Sequence, residues 1–196
     1  MGKANSFANF LIIGPTCFFL GILFSSFPYD YNVLWTTPPE GRDAYFNILE
    51  DHIKFLYASP PIISRILHIA IATGFAGFFV KLYRATEANY LFDGASLALY
   101  FAGILVYITN IVKGFRVVTA GIYGSIPEEG LQPEDYISRE DTLRVFAASN
   151  TILALVLVGV LVLQAGHWYA VRKEEAEIAA MDKEAEEKKK SGKKKQ

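Results

Sequence analysis

From Val145 to Gly166 the chain carries no ionisable side chain. The stretch runs on to Tyr169 and reads VFAASNTILALVLVGVLVLQAGHWY. At about 1.5 Å per residue, roughly 22 residues reach ~33 Å, enough to cross a hydrocarbon core of ~30 Å. In a chain this short, a helix apolar on every side for that length belongs in a membrane. Its polar residues are Ser149, Asn150, Thr151 and Gln164. His167, Trp168 and Tyr169 stand where amphipathic rings favour headgroup depth. Arg172 and Lys173 follow at once, and the chain is then almost all charge.

Three further apolar stretches match it, at about 7–27, 62–83 and 94–112. The expected fold is an all-α membrane protein. It has four transmembrane helices (the fourth at about 145–169), a short lumenal amphipathic helix and a charged cytosolic tail. Residues 1–171 form the membrane domain and residues 172–196 the lysine-rich tail. Hydrophobic residues make up 52% of the chain and charged ones 20%, but the charges are gathered in the tail and two loops. The formal net charge of -1 hides that segregation, and no basic groove suggests nucleic acid. Cys17 is the only cysteine, so no intrachain disulfide can form, and it reads as a small buried hydrophobe.

Gly14-Pro15 is expected to kink the first span, a break that neighbouring helices can re-satisfy. Pro28-Tyr29-Asp30-Tyr31-Asn32, followed by Val33, Leu34 and Trp35, reads as a loop and interfacial aromatic belt. Phe46, Leu49, Ile53 and Leu56 recur at helical spacing between Asp43 and Ser59, an amphipathic helix on or near the membrane surface. Pro60-Pro61 ends it. In the second span, Gly74 and Gly77 offer small residues for close packing. Residues 83–93 read as a short polar connection, and residues 114–144 as a second long, acidic loop. A short helix from Ser138 leads into the fourth span.

Four spans put both ends of the chain on one side. Lysine and arginine near the spans almost balance, but the short connection after Lys81 and the lysine block of the tail favour cytosolic ends. Both long loops then face the lumen. Lys193 and Lys194 match a dilysine retrieval signal for the endoplasmic reticulum.

Catalytic constellations are missing from the sequence. His52, His68 and His167 lack metal-ligand spacing, and there is no nucleophile elbow, P-loop or HExxH. The expectation is no enzyme, no cofactor and no metal. The four spans, so delimited, contain no Asp or Glu, which argues against proton-coupled transport. Among their polar residues, Thr109, Asn110, Asn150, Thr151 and Gln164 are candidates for helix packing or for contacts with a client's helices.

Three blocks carry a resemblance: Phe27 to Leu34 with its PYDYN core, Leu99-Tyr100 through Thr109-Asn110, and Ala148-Ser149-Asn150 with Leu163 to Tyr169. Together they resemble the fungal endoplasmic-reticulum chaperones of amino-acid permeases, also called secretory components. The resemblance implies a resident membrane protein that keeps newly made permeases from aggregating and assists their packaging for exit. Its implied partners are permeases, held transiently, membrane lipids, and vesicle-coat components reached through the tail. The alternatives are a four-span scaffold protein or, less favoured by composition, a small transporter subunit.

Overall fold

The computed structural model describes residues 3–36, 41–83, 87–124 and 137–193, and the side chains of most of these. All regular structure among them is helical: α1 (Lys3–Leu34), α2 (Arg42–Tyr57), α3 (Pro61–Tyr83), α4 (Glu87–Val106), α5 (Lys113–Ala120) and α6 (Arg139–Lys193). A π-helical segment, Tyr107–Val112, joins α4 to α5 without a break. Among the described residues, four helical stretches are long and apolar enough to cross a membrane: Phe7–Leu34, Pro61–Tyr83, Tyr90–Ala120 and Arg139–Lys188. The four-span expectation holds.

The bundle packs α1 against α3 and α6, and α4 against α6. Small residues permit the closest approach. A Cβ on Gly77 would lie 2.8 Å from Ile12 Cγ1, 2.9 Å from Leu11 Cβ and 3.1 Å from the Ala8 carbonyl oxygen. Gly74 is pressed against the ring of Tyr100, whose hydroxyl donates to the Ile71 carbonyl. Along α6, Leu153, Leu157 and Val160 form the buried apolar middle of the bundle. The outward faces keep Phe10, Phe24, Ile69, Phe79 and Leu155 exposed, as a lipid-facing surface requires.

Several boundaries differ from expectation. The first span does not end at residue 27: α1 continues to Leu34 through both Pro15 and Pro28. Each proline removes one backbone donor, but its φ suits a helix. Tertiary burial of Asp30 and Val33 holds the last turns helical. Thr16 Oγ donates to the Ile12 carbonyl one residue past Pro15. The third span starts earlier than residue 94, since α4 begins at Glu87 and carries Asp93 inward. The second long loop is shorter than expected. Helix α5 runs to Ala120 and stops at Gly121, whose φ of 65° is a left-handed helix cap. Ser138 then starts α6, its Oγ accepting from the Asp141 amide at 3.1 Å. Residues 125–136, the acidic part of that loop, lie outside the described residues. Cys17 faces outward from α1 and is not buried.

The helix expected between Asp43 and Ser59 is α2. Phe46, Leu49 and Ile53 are buried against the bundle, and Leu56 stays partly exposed. Pro61 opens α3 at a position where its missing donor costs nothing. Helix α6 runs on into the charged tail as one helix of 55 residues, about 83 Å long.

Candidate functional site

Two polar clusters sit toward opposite ends of the bundle, both anchored on α6. Asn150 belongs to one and Gln164 to the other, about 21 Å apart along the helix.

The Gln164 cluster joins α3, α4 and α6. Lys81 Nζ lies 2.6 Å from Asp93 Oδ1, with side chains only 3% and 1% exposed. The ammonium also donates to Gln164 Oε1 at 2.8 Å and lies 3.3 Å from His167 Nδ1. Gln164 Nε2 reaches Asp93 Oδ1 at 3.2 Å and Ser96 Oγ at 3.0 Å. Lysine has three donors and all three find partners. A buried ion pair of this kind is tolerable in lipid because the neighbouring amide and imidazole complete it. His167, expected at the interface beside Trp168, turns inward instead. Trp168 and Tyr169 remain outward, and the Arg172 guanidinium sits 5.0 Å over the Trp168 ring.

The PYDYN block is a helical ridge, and the expectation of a loop is wrong for a physical reason. Its prolines, aromatics and polar residues are local turn signals, yet their spacing distributes them over distinct helix faces. Tyr29 stacks on His52 of α2, ring centroids 3.9 Å apart and nearly parallel. Asp30, one residue on, points into the bundle, where Asn150 Nδ2 donates to its Oδ2 at 3.0 Å. Tyr31 faces outward and forms a ladder with Phe27 and Trp35, at 5.8 Å and 5.6 Å. Asn32 Oδ1 accepts from Thr36 Oγ at 3.2 Å. Pro28 lies within the helix.

Asp30 and Asn150 lie at one end of an open groove of ≈ 480 Å³ between α1 and α6. Its walls are apolar, with Leu20, Leu23 and Phe24 on one side and Ala154, Leu155 and Val158 on the other. Thr151 also lines it, with its hydroxyl turned to the Ala147 carbonyl. Asp30 Oδ1 is buried and has no hydrogen-bond partner among the described residues.

The other sequence candidates do less. Thr109 Oγ donates to the Leu105 carbonyl of its own helix, and Asn110 is half-buried in the π-helical segment. Neither is brought to the two clusters. The backbone of Lys193 closes α6, while Lys194 lies outside the described residues. Asp30 and Asp93 overturn the expectation of spans free of carboxylates: Asp30 is inside α1 and Asp93 inside α4. A sequence signal existed for Asp93, since Lys81 stands across a short connection from it.

Beyond the spans, α2 is locked to the start of α6. Glu50 accepts from Arg139 Nε at 2.5 Å and from Lys54 Nζ at 2.6 Å, and Arg139 also donates to Asn47 Oδ1. Burial pushes the Glu50 carboxyl up, but the bonds from Lys54, Arg139 and Tyr123 outweigh it and hold it below its ordinary range. Burial and the Glu50 carboxylate push the Tyr123 phenol up to about 12. Burial alone pushes the His52 imidazole down.

Among the described residues, no group of three or more His, Cys, Asp or Glu could hold a metal ion. The arrangement is a helical bundle with two polar staples and one polar-ended apolar groove. The family model described as ER membrane protein SH3, the SHR3 chaperones, matches residues 3–196. The secretory component protein psh3 of Schizosaccharomyces pombe is 24% identical over 160 residues, covering 82% of this chain and 68% of the relative. No solved structure matches the chain. A match over nearly the full length, on a four-span helical bundle, places the protein among chaperones rather than in an enzyme class: the chain belongs to the SHR3 chaperone family of endoplasmic-reticulum membrane proteins.

Proposed function

We propose that this protein keeps newly made amino-acid permeases from aggregating in the endoplasmic-reticulum membrane and assists their packaging for exit. The observation that carries the reading is the family match over residues 3–196, and the name of the psh3 relative supports the secretory part. The physical task fits the bundle. A half-made many-span permease presents polar helix faces and broken helices that are costly in lipid. A small bundle with apolar outer faces and a polar-ended groove gives those faces a temporary partner. Release follows as the permease's own helices arrive, so the binding must be weak and broad.

In this reading the ends of the chain face the cytosol, α2 and the 125–136 loop face the lumen, and the exposed end of α6 meets vesicle-coat components. The test is a pulldown of newly synthesised membrane proteins in mild detergent after a short pulse. Amino-acid permeases should be recovered early and lost during the chase. Recovery of unrelated single-span proteins in equal amount would refute the client class, and recovery of other copies of this chain alone would favour a scaffold.

A further inference from the structure

We infer that the α1/α6 groove is where a client transmembrane helix docks, and that the Asp30 carboxyl recognises a hydrogen-bonding donor on that helix. This deepens the permease-chaperone reading and rests on it. The groove walls run antiparallel. Leu20 to Asp30 rises about 15 Å along α1, and Val158 to Asn150 about 12 Å along α6, enough for two turns of a partner helix. The walls open outward: Phe24 is 79% and Leu155 68% exposed.

The chemistry at the end of the groove selects the occupant. Asp30 is 1% exposed, and Asn150 engages only one of its carboxyl oxygens. Oδ1 is buried and unpartnered, since Asn150 donates to the other oxygen and the Thr151 hydroxyl is turned to the Ala147 carbonyl. An unpaired polar atom in an apolar medium favours any ligand that completes it. A lipid acyl chain fits apolar walls but brings no donor. A helix bearing a hydroxyl, amide or amine brings both an apolar body and the donor. Such residues crowd the interior faces of many-span transporters, which are the faces left open before folding ends. The other carboxylate buried within the spans, Asp93, already has Lys81 and Gln164 as partners, so it needs no donor from outside.

The experiment uses the full chain in sealed microsomes during synthesis of an amino-acid permease. A photo-crosslinking residue replaces Leu155 at the groove or, as reference, Ile69, a comparably exposed position on α3. The Leu155 probe should capture the permease at least fivefold more than the Ile69 probe. Ala154→Phe, which fills the groove without touching Asp30, and Asp30→Leu should each cut that capture about fivefold. Ala154→Phe should leave the thermal midpoint of the purified protein within a few degrees of the parent. A leucine-only model span should be captured about 3–30-fold less than the same span with one Asn near the Asp30 depth. Equal capture at Leu155 and Ile69 would overturn the groove and leave the chaperone reading standing. Unchanged capture in Asp30→Leu, or no preference for the Asn-bearing span, would overturn the role of the carboxyl. No capture of the permease at either position would overturn the permease reading and this inference with it.

Discussion

Replacing Lys81 by Met removes the cation that faces Asp93 at 2.6 Å. Asp93 is then left buried with one donor, Gln164 Nε2 at 3.2 Å. Gln164 Oε1 and His167 Nδ1 lose their contact with the ammonium in the same step. Breaking a buried pair by removing one partner costs about 3–5 kcal/mol, because the remaining charge has no counterpart. For a chain of this size each kcal/mol moves the thermal midpoint by about 2–4 °C, so the fall should be about 6–20 °C. Lys81→Met combined with Asp93→Asn leaves no unpaired charge and should recover more than half of the loss. The assay is the thermal aggregation midpoint in mild detergent for the parent, both single variants and the double variant, which together measure the coupling. A fall under about 2 °C for Lys81→Met, or simple addition of the two single losses, would refute the claim that this pair staples α3, α4 and α6.

Gly77→Val should destabilise the bundle by about 1–3 kcal/mol, since the new atoms meet the Ala8 backbone as well as Leu11 and Ile12. Gly103→Ala meets only the side chains of Leu153 and Val156 and should cost less; equal thermal shifts would contradict the tight α1–α3 crossing. Because the folded His52 imidazole sits below its ordinary 6.5, undocked α2 takes up the proton first, and docking should weaken as pH falls below about 6.5. The Glu50 carboxyl, held below 4.5, contributes fully above that value and fails only as pH drops through its lowered range. Protection of the α2 amides, measured against their intrinsic exchange rates, should therefore fall between pH 7 and 5.5 in the parent but not in His52→Phe; identical profiles would exclude His52 as the sensitive group. In a Cys17→Ser background, cysteines placed at Glu129 and Ser191 should differ in labelling by an impermeant thiol reagent on sealed microsomes whose cytosolic face is outward. Only Ser191→Cys should react, and labelling of Glu129→Cys would invert the topology.

Apolar length made the four spans legible without tertiary knowledge, because a bilayer forces helices wherever a run of that length occurs. Phe46, Leu49 and Ile53 likewise declared their buried face by periodicity alone. The ends of the spans were not legible. Pro28, Asp30 and Asn32 are local signals for a turn, and only the burial of Asp30 and Val33 by other helices makes them helical. Asp93 reads as part of a connection for the same reason: a carboxylate looks solvated until its Lys81 partner, 12 positions away, is placed beside it. Gln164 and Asn150 stood out as interior amides, but their partners lie 71 and 120 positions away, and no local pattern names them. The candidate groove exists only between two helices at opposite ends of the sequence, so it was invisible before the fold.

The membrane part alone should protect a client, since the apolar run Val145–Gly166 of the fourth span, the three earlier spans, both polar staples and the groove all precede Lys173. The decisive measurement is the aggregation state of a newly made amino-acid permease on native gels. It compares membranes containing the full chain, the chain truncated after Lys173, or neither. An unrelated single-span protein serves as control. The permease should run as a monomer with either form of the chain and aggregate without it, while the control is indifferent. A permease that aggregates as badly with the truncated chain as with none, or a control that depends on the chain equally, would contradict a permease chaperone built from these four spans.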